Sequence, residues 1–323
     1  MNIELIEAAN ERLAGHARYT PLLSSPFLDE IAGRRVLIKA ECLQHTGSFK
    51  FRGGWSAISM FSAEDGARGV IAYSSGNHAQ GIALAAQKHG YPAVIIMPSD
   101  APELKIENTR QLGAEVVLYD RATEDRDEIG NRLAMEHGLT LVKPFDNKYV
   151  IAGQGTCGLE IAEQAAEAGI TDAEVLVPCG GGGLTSGVAL ALAARAPALT
   201  VRPVEPKGFD DVARSLISGK REENTQRTGS VCDAIVTPIC GELTFPIMKE
   251  LCGPGMVVTD DDCLRAMSDA FKRLKLVIEP GGAVALAAAL YQGSDIQSDT
   301  VIVVVSGGNV DGDMFIEALE KYR

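Results

Sequence analysis

Short β-branched runs alternate with longer alanine-rich segments along most of the chain, and this alternation restricts the possible folds more than any other feature. The longer segments include predicted helices at 77–90 and 183–196. The predicted strands are residues 35–41, 69–75, 92–99, 114–120, 173–179, 199–205 and 300–308. Continuous apolar strands that alternate with helices are typical of parallel sheets covered on both faces. The sequence therefore predicts an α/β fold with mainly parallel, twisted sheet structure flanked by helices.

Length and charge exclude several classes of partner. The 323 residues suit one large or two modest domains, and the net charge of -13 gives a sequence pI of about 4.9. A negative field repels phosphate backbones, so we expect neither nucleic acid nor an anionic membrane surface as partner. No apolar run is long enough to span a bilayer, and the first residues, MNIELIEAANERL, predict an amphipathic helix and not a signal peptide.

Cysteine usage indicates the compartment. The seven cysteines are odd in number and include no CxxC pair. That pattern argues against a disulfide framework or a zinc site and favours a reducing, cytoplasmic environment.

Glycine-rich turns follow the predicted strands at the points where ligands usually bind. SSGN follows the strand that begins at 69, CGGGG the strand at 173, and SGGN the strand at 300. In open α/β sheets the ligand lies beyond the carboxyl ends of the strands. We therefore expect these turns to converge on one crevice.

Four consecutive glycines, Gly180, Gly181, Gly182 and Gly183, end a strand and open a helix. Their backbone N–H groups, together with the positive end of a helix dipole, can surround a phosphate. The stretch lacks the Walker lysine, so it does not indicate nucleotide triphosphate hydrolysis. The alternative is a tight strand-helix turn, although a turn needs fewer glycines.

Two further turns carry hydrogen-bonding side chains. Ser74, Ser75 and Asn77 provide short donors at a helix start, which suits a carboxylate, although Ser and Asn are also ordinary helix caps. The adjacent His78 by itself favours a structural role. Ser306, at the end of a buried strand, can pair with a ring nitrogen, but Ser-Gly-Gly is also common turn chemistry.

Lys50 lies between Phe49 and Phe51 at a helix start. It either extends its ammonium group to water or has a chemical role. In an apolar site its pKa would fall, and the free amine could attack a carbonyl. A lysine, a phosphate cradle and a partner for a ring nitrogen are together what pyridoxal 5′-phosphate (PLP) requires.

The motifs TGSFKFRG, SSGNHAQG, GGGGL and SGGN follow one another in an order that is more specific than any one of them. In this respect the chain resembles the fold-type II PLP enzymes of the serine/threonine dehydratase and serine racemase family. The resemblance covers nearly the whole chain, including IAGQGT at 151–156 and IEPGGAVALAA at 278–288.

The resemblance implies a fold like the tryptophan synthase β subunit, with two open, twisted, mainly parallel sheets flanked by helices. It implies a large PLP-binding domain formed by 1–68 and 146–323, a small mobile domain formed by 69–145, and a homodimer. The sequence ends soon after these motifs, so no regulatory C-terminal domain of allosteric threonine dehydratases is expected.

The resemblance also implies residue roles. Lys50 corresponds to the lysine that binds PLP as an imine and acts as the base at Cα. The residues similar to the family's cofactor-binding set are Phe49, Lys50, Asn77, Gly180, Gly181, Gly182, Gly183, Leu184 and Ser306. A serine at the pyridine nitrogen leaves that nitrogen largely unprotonated, which favours elimination over transamination. Ser74, Ser75, Asn77 and His78 lie in the loop that binds the substrate α-carboxylate, and Ser75 matches the second base of racemases.

A divalent cation is a further implication of the resemblance. Glu205 and Asp211, with the carbonyl of Phe209 between them, match the oxygen ligands of racemase-like members. Such ligands suit Mg²⁺. A solvated acidic turn is the alternative.

These matches predict a cytoplasmic ammonia-lyase that acts on a small 3-hydroxy amino acid. Arg126 aligns with an arginine that reaches a second carboxylate, although a surface arginine is the alternative. The stretch CDAIVTPICGELTF at 232–245 is similar to bacterial hydroxyaspartate dehydratases, so 3-hydroxyaspartate is the predicted substrate. Serine/threonine dehydration and serine racemisation remain alternatives.

Two other classes of protein share parts of this pattern. A nicotinamide-dependent oxidoreductase would need a GxGxxG turn on its first strand, and the sequence has none there. A catalytically silent PLP or amino-acid sensor would keep the glycine turn without needing Lys50, so the presence of that lysine argues against a sensor.

Overall fold

A computed structural model describes residues 1–74, 76–101, 103–120 and 122–323, with Leu104 and Asp127 described by their backbone alone. Its α-helices, numbered α1 to α14 in chain order, are Ile3–Leu13, Pro26–Ala32, Lys50–Ile58, Ala63–Arg68, Asn77–His89, Glu103–Gln111, Arg126–His137, Lys148–Glu167, Gly183–Arg195, Asp211–Ser218, Thr244–Leu251, Asp260–Leu274, Pro280–Tyr291 and Gly312–Lys321. Its strands, numbered β1 to β10, are Leu22–Ser24, Arg35–Ala40, Val70–Tyr73, Ala93–Pro98, Glu115–Tyr119, Thr140–Leu141, Ala173–Pro178, Leu199–Pro206, Met256–Val258 and Thr300–Val305.

The strands form two sheets. Within the described ranges, the larger sheet has six strands in the order β1-β2-β10-β7-β8-β9, and the smaller has four in the order β5-β4-β3-β6. Every neighbouring pair is parallel except β1 and β2, which are antiparallel. The prediction of two mainly parallel sheets flanked by helices is therefore confirmed.

The core of the larger sheet forms around α13. This helix has the sequence PGGAVALAAALY, and its residues 280–290 are all buried. A helix with no polar face must be covered on all sides, and α13 is enclosed by α12 and by strands β7, β8 and β10. It starts directly beneath the edge of the sheet where those parallel strands end.

Five of the seven predicted strands are confirmed to within one residue at each end, but the predicted ends of the other two are wrong. β10 ends at Val305, so Ser306 and the two glycines after it belong to the turn and not to the strand. β3 ends at Tyr73, two residues before the predicted end. In both places the turn chemistry of Ser and Gly ends the ladder earlier than the apolar pattern suggests.

The smaller sheet takes all its strands from residues 70–141, inside the predicted small domain 69–145. Helix α3, from outside that range, packs against α5 through Phe51 and Trp55. The domain boundaries and the mobility of the small domain stay predictions. All seven cysteines are described and free of disulfides. Among the described residues, no helix has both the length and the hydropathy that crossing a bilayer demands.

Candidate functional site

The lysine turn and the SGGN turn are joined at the carboxyl end of the larger sheet. The backbone N–H of Phe49 donates to the carbonyl of Ser306 at 3.1 Å, and Ser48 forms an antiparallel bridge with Gly307. These contacts arise because β2 and β10 are parallel neighbours whose ends lie at the same edge. The structure therefore brings Lys50 next to the end of β10.

Lys50 is the first residue of α3 and is half-buried. Thr46 has a φ of 58°, a left-handed conformation that reverses the chain just before the helix. The Lys50 Nζ donates to the carbonyl of Pro144 at 3.0 Å and lies 5.1 Å from the centre of the Phe49 ring. Burial lowers the pKa of Lys50 to about 8, although the charge of Glu279 acts in the opposite direction. A useful fraction of the amine is therefore unprotonated near neutral pH.

The glycine turn after β7 has a shape that side chains would prevent. Gly182 has a φ of 87°, and a Cβ on Gly181 would lie 2.3 Å from the ring of Phe145. Helix α9 starts at Gly183, so its first N–H groups have no partner within the helix. Backbone donors and the helix dipole make this turn a cradle for an anion.

A second loop supports the outer side of this cradle. The carbonyl of Gly181 accepts hydrogen bonds from Thr244 Oγ1 at 2.7 Å and from the N–H of Gly241 at 3.1 Å. Both donors belong to the 232–245 stretch that was singled out in the sequence. Because the Gly181 carbonyl is bound by this outer loop, the N–H groups of the turn remain available to a ligand.

Gln154 places a buried polar side chain with an unpartnered atom at the cradle. Its side chain is fully buried, and its Oε1 has no hydrogen-bond partner among the described residues. A Cβ on Gly183 would lie 2.6 Å from that oxygen, so the amide faces the cradle. Its Nε2 makes a long hydrogen bond to the Pro144 carbonyl at 3.5 Å. Rotating the amide by 180° would give up that contact and turn Nε2 toward the cradle, where a phosphate oxygen can accept.

Asn77, the first residue of α5, is held on both sides of its amide. Its Nδ2 donates to Glu279 Oε1 at 2.5 Å, and its Oδ1 accepts from Asn309 Nδ2 at 2.7 Å. The preceding Ser74 accepts the N–H of Gly76 through its Oγ at 3.2 Å. Ser75 lies outside the described residues, so its predicted role stays a prediction.

His78 brings no positive charge to a carboxylate. Its Nε2 pairs with the carbonyl of Val142 at 2.9 Å, and its ring is buried. Burial, followed by the charge of Lys50, lowers the pKa of His78 to about 3. The ring is therefore neutral at physiological pH and holds the start of α5 in place.

Glu279 is a residue of this site that the sequence did not single out as functional. It is the N-cap residue of α13 and is 3% exposed. The one local signal is an acid placed directly before a proline and a wholly apolar helix, where a carboxylate is buried. Its partner Asn77 is 202 positions away, so spacing gives no indication of the contact.

Arg126 lies beside the smaller sheet. It is the first residue of α7, and its guanidinium carbon is 5.2 Å from the centre of the Tyr73 ring. Tyr73 is the last residue of β3 and directly precedes Ser74. The guanidinium group is thus at the end of the strand that leads into the predicted carboxylate loop.

The two predicted metal-binding carboxylates are buried side by side. Glu205 accepts the N–H groups of Val212 at 3.0 Å and Ala213 at 2.7 Å. Asp211 accepts from Asn224 Nδ2 at 2.7 Å and from the N–H of Cys240 at 2.8 Å.

Their electrostatics favour a cation. Burial raises the pKa of Glu205, and the charge of Asp211 raises it further. Burial also raises the pKa of Asp211, to about 6. Among the described residues neither carboxylate has a lysine or arginine within ion-pair distance, and no cluster of three or more His, Cys, Asp or Glu side chains forms a metal site. All four of their oxygens accept N–H groups, and each can accept a second bond, so two buried carboxylates without a basic partner suit a hard cation with oxygen ligands.

The fold and the crevice together define a class of protein. Two parallel sheets, a lysine with a lowered pKa, and a glycine cradle at a strand end form a site for an aldehyde cofactor that carries a phosphate. The chain belongs to the pyridoxal-phosphate dependent enzyme family, whose model matches residues 13–307, and within it to the fold-type II dehydratases and racemases.

Similar proteins cover almost the same length as this chain. An L-threo-3-hydroxyaspartate ammonia-lyase of a Pseudomonas species is 43% identical over 98% of this chain and 98% of its own. The solved threonine deaminase of T.th. has a TM-score of 0.91 and 42% identity, covering 96% of this chain and 99% of its own. The solved structure of maize serine racemase has a TM-score of 0.92 and 37% identity, and the match covers 99% of this chain and 97% of the racemase chain.

Proposed function

We propose that the protein is a PLP-dependent ammonia-lyase that removes water from a small 3-hydroxy amino acid, with 3-hydroxyaspartate as its preferred substrate. The enamine formed by elimination hydrolyses, so the net products are a keto acid and ammonia. The observation that carries the proposal is the Lys50 amine, with its lowered pKa, at a crevice that also holds the glycine cradle and Asn77. The 43% identity to a hydroxyaspartate ammonia-lyase supports the choice of substrate.

The cofactor would be held by residues from both sheets. When bound, PLP supplies a carbonyl for the substrate amine and a ring that takes up the electrons of the Cα–H bond. The residues proposed to hold it are Phe49, Lys50, Asn77, Gly180, Gly181, Gly182, Gly183, Leu184 and Ser306. Phe49 and Leu184 belong to one apolar cluster, which supports a dry wall beside the ring.

Lys50 would take the proton from the substrate Cα. Its hydrogen bond to the Pro144 carbonyl uses one N–H and restrains the orientation of the amine lone pair. Ser74, Asn77 and the N-terminus of α5 would hold the α-carboxylate, which positions Cα–H over the amine. A proton returned from the opposite face, the role proposed for Ser75, would give racemisation instead.

The distal carboxylate of 3-hydroxyaspartate is assigned to Arg126. Its position beside Tyr73, one residue before Ser74, supports this assignment. An arginine can bind a carboxylate through two parallel hydrogen bonds, which distinguishes a dicarboxylate from serine or threonine.

A divalent cation, proposed as Mg²⁺, would be bound by Glu205, Asp211 and the carbonyl of Phe209. The raised pKa values of the two acids support the proposal, because a cation would stabilise the charged form of both. A cytoplasmic homodimer completes the proposal, and seven free cysteines suit a reducing compartment.

The second candidate is a serine/threonine dehydratase or serine racemase. The structural similarity to a threonine deaminase, with a TM-score of 0.91, and to a serine racemase, with a TM-score of 0.92, supports this second candidate.

A substrate panel tests the proposal. L-serine, D-serine, L-threonine and the 3-hydroxyaspartate stereoisomers are each assayed for keto acid and for inverted amino acid, with and without Mg²⁺. We expect kcat/KM to be highest for one hydroxyaspartate isomer. Arg126→Ala should lower kcat/KM for that isomer by about 10-fold or more, the value of one charge-assisted hydrogen bond, and affect serine much less.

Arg132→Ala is the matched control, because Arg132 lies on the same helix and pairs with Glu136 at the surface. Equal losses on both substrates in Arg126→Ala would rule out the distal-carboxylate role. A wild-type protein that binds no PLP and stays colourless would rule out the whole proposal.

A further inference from the structure

One carboxylate touches both turns of the crevice. Glu279 Oε1 accepts the Asn77 Nδ2–H at 2.5 Å, which ties the start of α13 to the start of α5. Its backbone N–H donates to the carbonyl of Gly307 at 3.1 Å, and a Cβ on Gly307 would lie 2.0 Å from Oε1. The carboxylate therefore occupies the space directly over the residue that follows Ser306.

This contact fixes the orientation of the Asn77 amide. An ionised carboxylate only accepts hydrogen bonds, so it must face the Nδ2 end of the amide and not the Oδ1 end. The Oδ1 end is in turn held by Asn309 Nδ2 at 2.7 Å. With both ends fixed, the second Nδ2–H is the group that the amide can offer to a ligand. Asn77 thus presents a donor to the crevice.

Glu279 also supplies negative charge near the amine. Its charge raises the pKa of Lys50 against the effect of burial. Burial raises the pKa of Glu279 itself to about 7, Lys105 on α6 and Lys50 on α3 lower it, and Asp233 raises it. The charge of Glu279 also acts on the Cys42 thiol, whose pKa is raised mainly by burial and by Glu41.

We infer that Glu279 is a positioning residue with two actions: its carboxylate turns the Asn77 amide into a fixed donor toward the cofactor, and it provides the counter-charge to Lys50. The inference rests on the proposed function, since it assumes that the crevice holds PLP. The two actions can be separated, because the side chain in Glu279→Gln can still accept from Asn77 through Oε1 while carrying no charge.

The test measures PLP uptake by apoprotein from the absorbance of the bound cofactor, and not turnover. Apoprotein of the wild type, Glu279→Gln and Glu279→Ala is mixed with PLP between pH 6 and 9, and both the rate of uptake and the Kd are measured. In Glu279→Gln the Kd should stay within about threefold of wild type, because the hydrogen bond is kept. The rate-pH curve should move to lower pH. Uptake at pH 7.5, where most of the wild-type Glu279 is ionised, should be faster by about twofold, equivalent to half a pKa unit in free amine.

In Glu279→Ala the donor orientation is lost as well, so the Kd should rise by about 10-fold, the value of one buried hydrogen bond. Glu317→Gln, an exposed change of the same chemistry on α14, serves as the control and should match the wild type in both measurements.

The outcomes distinguish a failure of the proposed function from a failure of either role of Glu279. If wild-type apoprotein takes up no PLP, the proposed function fails. If wild type takes up PLP and the Glu279→Gln curve coincides with it, the counter-charge role is wrong. If Glu279→Ala keeps the wild-type Kd, the orienting role is wrong. Should Glu279→Ala not fold, the Kd of Glu279→Asp replaces it, since a shorter carboxylate keeps the charge and loses the 2.5 Å contact.

Discussion

At the scale of single residues, the amine of Lys50 determines how the crevice responds to pH. Attack on a carbonyl needs the unprotonated amine, and burial lowers the pKa of Lys50 to about 8. The folded-state pKa is below that of a free lysine, so the reactive fraction grows as pH rises through that value. We predict that the rate of PLP uptake by wild-type apoprotein rises about tenfold per pH unit below pH 7 and levels off above pH 9. Stopped-flow absorbance checks this, and a curve centred near pH 10 would contradict the lowered pKa.

A second residue-scale prediction concerns the glycine cradle. Gly181→Ala would drive a methyl group into the Phe145 ring, 2.3 Å from the new Cβ. Overpacking of this kind costs about 1–3 kcal/mol, and relief by moving the turn would misplace its N–H groups. We expect PLP affinity to fall by about 10-fold or more, measured by equilibrium titration. Gly312→Ala, at a position with open space around it, is the control and should leave affinity unchanged.

The residues that could be predicted are those whose roles depend on local spacing. Lys50 and the four glycines stand out because their neighbours along the chain form the helix starts and turns that they need. Glu279 and Asn309 meet Asn77 across more than 200 positions, so no local pattern reveals them. The same holds for the Pro144 carbonyl, because any residue provides a carbonyl.

At the scale of elements, a buried ionic cluster fixes helix α3. Arg52, fully buried two residues after Lys50, donates twice to Glu41 at 2.8 Å and once to Glu160 of α8 at 2.7 Å. Lys39 of β2 completes the cluster by donating to Glu160 at 2.5 Å. Burial alone would raise the pKa of Glu41, but Arg52 holds it below its usual value. The cluster sets the orientation of the helix that carries the reactive amine.

Arg52→Met should therefore destabilise the protein strongly. The change leaves two buried carboxylates with one lysine, and breaking a buried pair in this way costs about 3–5 kcal/mol. Urea unfolding followed by circular dichroism gives the free energy of unfolding. The control is Arg68→Met on α4, where the partner Glu64 is 82% exposed and little change is expected. Similar losses of unfolding free energy in both variants would show that burial of the cluster does not increase its contribution to stability.

The elements that the sequence predicts best are the fully buried strands. Apart from Glu174 and Thr300, β7 and β10 are apolar because helices cover both faces of the sheet. No such signal marks β1, β6 and β9, which have two or three residues and lie at sheet edges. A strand so short pairs because its neighbour is present, and its own pattern is too brief to be distinctive.

At the scale of the whole molecule, the two sheets contribute different functions to one crevice. The smaller sheet leads into Asn77 and the loop proposed to bind the substrate carboxylate, while the larger sheet leads into Lys50, the cradle and Ser306. Lys105 of α6 lies 3.6 Å from Asp233, so an ion pair joins the two sides. Glu279 joins them again through Asn77. The relative position of the sheets therefore determines whether the site is assembled.

The final prediction concerns the stability of the whole chain with and without a divalent cation. Buried Glu205 and Asp211 repel each other when both are ionised, and a cation bound between them would stabilise only the folded state. Binding adds about 2.7 kcal/mol when Mg²⁺ is present at about 100 times its Kd, so thermal unfolding should shift upward by several degrees and return to its starting value with chelator. In Glu205→Gln the shift should disappear. Asp210→Asn, which changes a neighbouring acid that pairs with Arg214 at the surface, should keep it. An equal Mg²⁺ response in Glu205→Gln and wild type would exclude this pair as the binding site.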